Sequence, residues 1–130
     1  MRVRHPVRFG LLVACLGAGT ALAGDGTAAA DAVNAALAEA APAKLSVAET
    51  FAQTGRWVHS NEAIGFEAPA GASHSINVGD HGTITIAFSG PAEIAGGAIV
   101  LMPSDGGNGR VEWACTSSDL PADAVPQGCE

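Results

Sequence analysis

Apolar positions between residues 24 and 53 recur at the spacing of one face of a helix. This stretch is rich in Ala, the best helix former, and Gly55 suits a helix C-terminus. Pro42 removes a backbone donor and predicts a kink or break, after which the helix resumes over residues 43–53. The expected apolar positions are Val33, Leu37, Ala41 and Leu45, followed by Ala48, Phe51 and Ala52.

Residues 55–71 carry Gly, Asn, Ser and Pro at short intervals, which predicts a long connecting loop. Loops of this length in compact domains are uncommon unless they are functional or packed by their own side chains. Trp57, Ile64 and Phe66 can supply that packing.

After this loop the apolar period changes to two, which predicts strands. Residues 76–78 and 84–88 alternate around a turn at 79–82 and form an expected hairpin. A third strand covers residues 98–102 and is ended by Pro103. Residues 105–109 then turn the chain into a fourth strand. On that strand Val111, Trp113 and Cys115 share a face, whereas the segment from Thr116 onward has no period.

One helix followed by four strands predicts an α+β fold, in which the helix packs on the apolar face of an antiparallel sheet. The expected aromatic residues of the structural core are Phe51, Trp57, Phe88 and Trp113. An alternative interpretation of Trp57 and Trp113, as a platform for stacking on a sugar, is the weaker one because their surroundings are apolar.

The first 23 residues combine a basic head, an apolar run and a final Ala-x-Ala, which predicts a secretory signal peptide cleaved before Gly24. Residues 12–15 resemble a lipoprotein box, so lipidation at Cys15 is the alternative. Ordinary cleavage is favoured because the apolar run continues well past Cys15. The predicted organisation is therefore a signal peptide at 1–23, an Ala-rich helical spacer at 24–43 and a globular domain at 44–130.

The formal net charge of the chain is −7, and residues 24–130 retain only three basic side chains against 13 acidic ones. Such an acidic surface argues against nucleic acid or an anionic membrane as a partner. No second apolar segment approaches the roughly 20 residues that a membrane helix needs. We therefore expect no transmembrane segment in the mature chain and an exported location, either periplasmic or at the cell surface.

Export places Cys115 and Cys129 in an oxidising compartment, where an even pair of cysteines predicts a disulfide. A bond between them would close a loop of about 15 residues and contribute about 3 kcal/mol in the chain-entropy model. We expect a C-terminal loop bounded by this disulfide.

Catalytic and metal-binding patterns are not found in the sequence after residue 23. His59, His74 and His81 do not form a helical metal-ligand pair, and solvated loop histidines are the simpler interpretation. Nucleophile elbows, phosphate loops and nucleotide fingerprints are also missing from this part of the sequence. We expect neither an enzyme nor a cofactor or metal.

Residues 44–129 resemble the globular part of a type IV pilin of the type IVa kind. The fourth-strand segment 109–115 follows the pattern G-x-(I/V)-x-W-x-C, and residues 125–129 follow (L/V)-P-x-x-C, the end of a disulfide-bounded loop. Other matching segments, in order, are 43–44, 47–49, 55–57, 60–61 and 99–103. The resemblance implies a long N-terminal helix packed on a four-stranded antiparallel sheet.

The same resemblance implies a structural or interaction protein of a type IV pilus, of its assembly or of cell adhesion. Its expected partners are pilus subunits or pilus assembly proteins. Pilins carry about 20 apolar residues at the start of the helix, but here Asp25, Asp31 and Glu39 occupy that part of the sequence. We therefore expect a head domain that does not polymerise alone. The alternative is a free periplasmic or lipid-anchored module that binds a ligand outside the pilus.

Overall fold

A long helix lies on one face of a four-stranded antiparallel sheet in the computed structural model, which describes residues 28–69 and 73–130. This arrangement confirms the predicted α+β fold. The predicted signal peptide, its cleavage site and Cys15 lie outside the described residues. The main elements are α1 (Ala28–Thr54), β1 (His74–Val78), β2 (Ile84–Phe88), β3 (Ala98–Gly107) and β4 (Arg110–Ser118).

The buried face of α1 consists of small side chains, which let the helix axis approach the sheet closely. Its buried residues are Ala29, Val33, Ala36, Ala40, Ala43 and Val47. The face predicted from the strict spacing of four is correct at Val33, which is buried, and at Leu37, which packs against the core, but wrong at Ala41 and Leu45, which are exposed. Each step of four advances about 40° beyond a full turn, so such a series winds around the helix.

The helix continues through Pro42, where a kink or break was expected. Pro42 and Ala38, whose carbonyl loses its intrahelical donor, are both exposed, so water can reach that carbonyl. The expected division between a spacer at 24–43 and a domain from 44 is likewise not a break in the described structure. Ala29 to Ala43 bury one face against the same core as Val47, because Ala is small enough to pack there.

The sheet has the order β1-β2-β3-β4, and its helix-facing rows form the core. Ile76, Ile86 and Ile99 lie opposite one another in one row. Val78, Ile84 and Leu101 form the next row, and both rows are buried. The apolar period of two in the sequence therefore corresponds to the face that α1 covers.

Pro103 does not end the third strand, since β3 runs on to Gly107. Strand β2 pairs with β3 only as far as Leu101, whereas β4 pairs with β3 along its whole length. Pro103 therefore lies where β3 has a neighbour on one side only, a position at which a sheet tolerates Pro.

The turn between β3 and β4 consists of Asn108 and Gly109, which both have positive φ, 57° and 75°. An Asn-Gly pair of this kind is the preferred two-residue hairpin turn, because it matches the twist of the strands. Strand β4 then continues to Ser118, beyond the point at which the period in the sequence fades.

Candidate functional site

The described residues, 28–69 and 73–130, offer no group of three or more His, Cys, Asp or Glu side chains arranged to hold a metal ion. Within the same ranges no helix is both long and apolar enough to cross a membrane.

His59 and His81 lie close together in exposed loops, with ring centroids 5.9 Å apart. The backbone N–H of His81 donates to Nδ1 of His59 at 3.3 Å, and Asp80 Oδ1 lies 3.7 Å from the same nitrogen. Nδ1 of His59 is therefore engaged by the backbone of the neighbouring loop.

His74 differs from the expected solvated histidine. Its side chain is only 9% exposed, and its Nε2 lies 2.5 Å from Oε2 of Glu39 in the middle of α1. The pair joins the helix to the first strand across 35 positions of sequence. A hydrogen bond to the Glu39 carboxylate in this partly buried place helps to fix how α1 lies over β1.

Three of the four aromatic residues expected in the core lie in it or against it. Phe88 is buried, whereas Trp57 and Trp113 are half-buried and pack against the core. Phe51 stacks on Trp57 with ring centroids 3.9 Å apart, and Lys44 Nζ lies 5.3 Å from the centroid of Trp113. Each tryptophan thus has a neighbour over a ring face, which argues against an open platform for a sugar.

Asn61 closes the outer edge of β1. Its Nδ2 donates to the carbonyl of Ile76 at 3.1 Å, and its Oδ1 accepts from the N–H of Val78 at 2.6 Å. The side-chain amide takes the two bonds that a residue of an added parallel strand would make. This clamp holds the loop after α1 on the sheet, and no sequence pattern indicated it.

The C-terminal segment, residues 119–130, contacts α1 through residues 122–124 and is fastened to β4 by a disulfide. The disulfide joins Cys115 to Cys129, with their Cα atoms 4.4 Å apart, so the predicted disulfide-bounded loop is present. Ala124 and Cys129 are buried in the core, and Leu120 and Val125 pack against it.

A cavity of about 300 Å³ lies between the start of α1 and this segment. It is lined by Ala28, Ala29, Glu93, Pro121 and Asp123. Its volume is at the lower limit for small-molecule sites. Glu93 and Asp123 are both exposed, so the two carboxylates remain hydrated.

The solvent side of α1 is apolar over three turns, although the opposite side already forms the core. Leu45 is 60% exposed, the largest exposed fraction among the bulky apolar residues described. Its neighbours on this side are the exposed residues Ala35, Ala38, Ala41 and Pro42. Asp31 and Glu49 bound the stretch at either end, and we call it the outer helix face.

The solvent side of the sheet is also poor in charge. Its central row consists of Asn77, Thr85, Val100 and Thr116, and the next row of Ser75, Ala87, Ala98 and Ser118. Met102, at 41% exposure, lies opposite Ala114. The acidic side chain on this side of β4 is Glu112, which lies opposite Ser104 in the row beyond Met102 and Ala114.

Comparison with known proteins agrees with this architecture. No curated protein matches the chain by sequence. A family model described as pilin, the subunit of a bacterial filament, matches residues 32–130, from the helix to the C-terminus. This chain belongs to the pilin family, whose members are structural proteins rather than enzymes.

Proposed function

We propose that this pilin is exported and acts as a structural or interaction protein of a type IV pilus, of its assembly or of adhesion. Its expected partners are pilus subunits or assembly proteins, and its contact surface is the outer helix face. This proposal is supported chiefly by the observation that α1 is apolar on both sides, with the side chain of Leu45 60% exposed.

A surface helix of a globular protein normally places polar residues on its solvent side. Here five consecutive positions of that side, from Ala35 to Leu45, are apolar. Contact with another helix would remove Leu45 and Pro42 from water, at roughly 25 cal/mol per Å² of apolar surface. Small residues such as Ala38 allow close approach, so the surface suits an elongated helical partner.

The test is co-purification with pili sheared from cells that express the wild type, Leu45→Glu or Met102→Glu. We expect Leu45→Glu to lose most of its pilus-bound fraction, because a carboxylate would be buried in the contact. Met102→Glu places the same charge on the sheet and serves as the matched control. Equal recovery of both variants with pili would contradict the proposed surface, and absence of the wild type from pili would contradict pilus association.

The second candidate function is that of a free periplasmic or lipid-anchored binding module, and the cavity beside Ala29 favours it. Its carboxylates, Glu93 and Asp123, suit a small ligand with a cationic group. Screening cationic metabolites by thermal shift, with Glu93→Gln as the control variant, tests this function. Shifts of similar size in the wild type and in Glu93→Gln would exclude the cavity as their source.

A further inference from the structure

The two edges of the sheet are not equivalent. On β1, Asn61 occupies the outward carbonyl of Ile76 and the outward N–H of Val78. A strand from another molecule would have to displace this clamp before it could pair with β1. Natural sheets need such protection, because a free edge is a template for pairing with another chain.

Strand β4, at the other edge, has outward backbone groups without such a clamp. The N–H of Phe88 donates to the carbonyl of Gly97, so the even-numbered residues of β2 bond toward β3. Bonding direction alternates along antiparallel strands, and the register then directs the odd-numbered residues of β4 outward. These residues are Val111, Trp113, Cys115 and Ser117. Among the described residues, no backbone hydrogen bond joins them to another segment on that side.

The C-terminal segment is fastened to β4 at the middle of this edge. Cys129 Cα lies 4.4 Å from Cys115 Cα, closer than the spacing of about 4.8 Å between neighbouring strands. The segment makes few polar contacts of its own, since its backbone hydrogen bonds are local turns at Ala124 and Cys129. The disulfide is therefore its principal attachment to β4.

We propose that the outer edge of β4 is a self-association surface, which pairs antiparallel with β4 of a second copy once residues 119–130 are released. With Ala114 opposite Ala114 of the second copy, Val111 faces Ser117 and Trp113 faces Cys115. This register satisfies all the outward groups with about eight hydrogen bonds. Arg110 then faces Ser118, and Glu112 faces Thr116, so no like charges oppose each other.

This pairing is closed rather than open-ended. Two β4 edges related by a two-fold axis form a dimer with a continuous eight-stranded sheet, and its outer edges are both β1. Because Asn61 closes β1, further strands are not added. Pairing of β4 with β1 of another copy would instead propagate a fibre.

The experiment compares the oxidised wild type with Cys115→Ala/Cys129→Ala by analytical ultracentrifugation over a wide concentration range. We expect a monomer for the wild type and twice the monomer mass, rising with concentration, for the variant. Adding Ser117→Pro to the variant removes one outward N–H without touching the β3–β4 ladder, and should restore the monomer. If the Ala variant does not fold, Cys115→Ser/Cys129→Ser also removes the disulfide, without an apolar side chain at position 129 that would hold the segment in the core, and carries the same test.

Covalent capture gives a second readout. In the disulfide-free variant, Ala114→Cys should cross-link to itself, because Ala114 lies on the two-fold axis of the proposed pairing. Met102→Cys, opposite Ala114 on β3 and exposed, is the control that should not cross-link. A monomeric disulfide-free variant without 114–114 cross-links would overturn the proposal. Equal dimerisation of the wild type with its disulfide intact would also overturn the proposal. It would show that residues 119–130 do not keep a second copy from pairing with β4.

Discussion

At the scale of single residues, contacts between segments far apart in the chain fix the relative placement of loop, helix and sheet. Asn61 is the clearest case, because its side chain replaces a missing strand at β1. We expect Asn61→Ala to lower the free energy of unfolding by about 1–3 kcal/mol, since the N–H of Val78 would be left without its partner. Urea denaturation measures this, and Asn77→Ala, exposed on the same loop-proximal strand, should change stability by less than about 0.5 kcal/mol. An equal decrease in the free energy of unfolding in both variants would show that the two hydrogen bonds of Asn61 do not stabilise the fold more than an exposed side chain does.

The Glu39–His74 pair is the second residue-scale contact, and a double-mutant cycle isolates it. We expect a coupling free energy of about 0.5–3 kcal/mol between Glu39→Ala and His74→Ala, because the pair is partly buried and closely spaced. Glu49→Ala, on the exposed side of the same helix, should show no coupling with His74→Ala. Additive losses in the Glu39 cycle would mean that the two side chains stabilise the fold independently.

At the scale of elements, the sequence predicted those features that follow from a locally repeating pattern, such as a strand and its buried face. The alternation of Ile84, Ile86 and Phe88 fixes a strand and its buried face, because a strand repeats every two residues regardless of its neighbours. The continuation of β3 past Pro103 depends instead on where β2 stops pairing, which no local pattern contains. Which residues of α1 form its buried face likewise depends on how the helix is oriented on the sheet, and the spacing of apolar residues does not contain that orientation. Neither the Asn61 clamp nor the Glu39–His74 pair has a sequence signature, because their partners are 15 to 35 positions away.

The C-terminal segment is the element whose stability depends most on a covalent bond. Its apolar contacts are limited to small or half-buried side chains, so Cys129→Ala should lower the free energy of unfolding by about 2–5 kcal/mol. Denaturation at low protein concentration, with the oxidised wild type alongside, measures the monomer alone. The amide of Cys129 should also exchange faster with solvent in the variant. A loss below about 1 kcal/mol would show that Ala124 and its neighbours hold the segment without the disulfide.

At the scale of the whole molecule, charge opposes the stacking of α1 helices from identical copies in a fibre. Residues 24–130 carry 13 acidic side chains and only Lys44, Arg56 and Arg110 as basic ones. The outer helix face is the apolar surface of α1 still open to a partner, and Asp31 and Glu49 bound it at its ends. Stacking these helices in a fibre core would bring such carboxylates together in a region of low dielectric, at a cost of several kcal/mol for each one left unpaired.

The oxidised protein beginning at residue 24 should therefore sediment as a monomer or small oligomer, and form no fibres under the electron microscope at physiological salt. Salt screens exposed charges beyond about 8 Å at that ionic strength, so added salt should strengthen any weak self-contact without producing fibres. Weak contact through the outer helix face should disappear in Leu45→Glu and persist in Met102→Glu. Spontaneous growth of long fibres from the purified oxidised chain would refute this expectation, because it would require the acidic helix ends to be accommodated in a shared core.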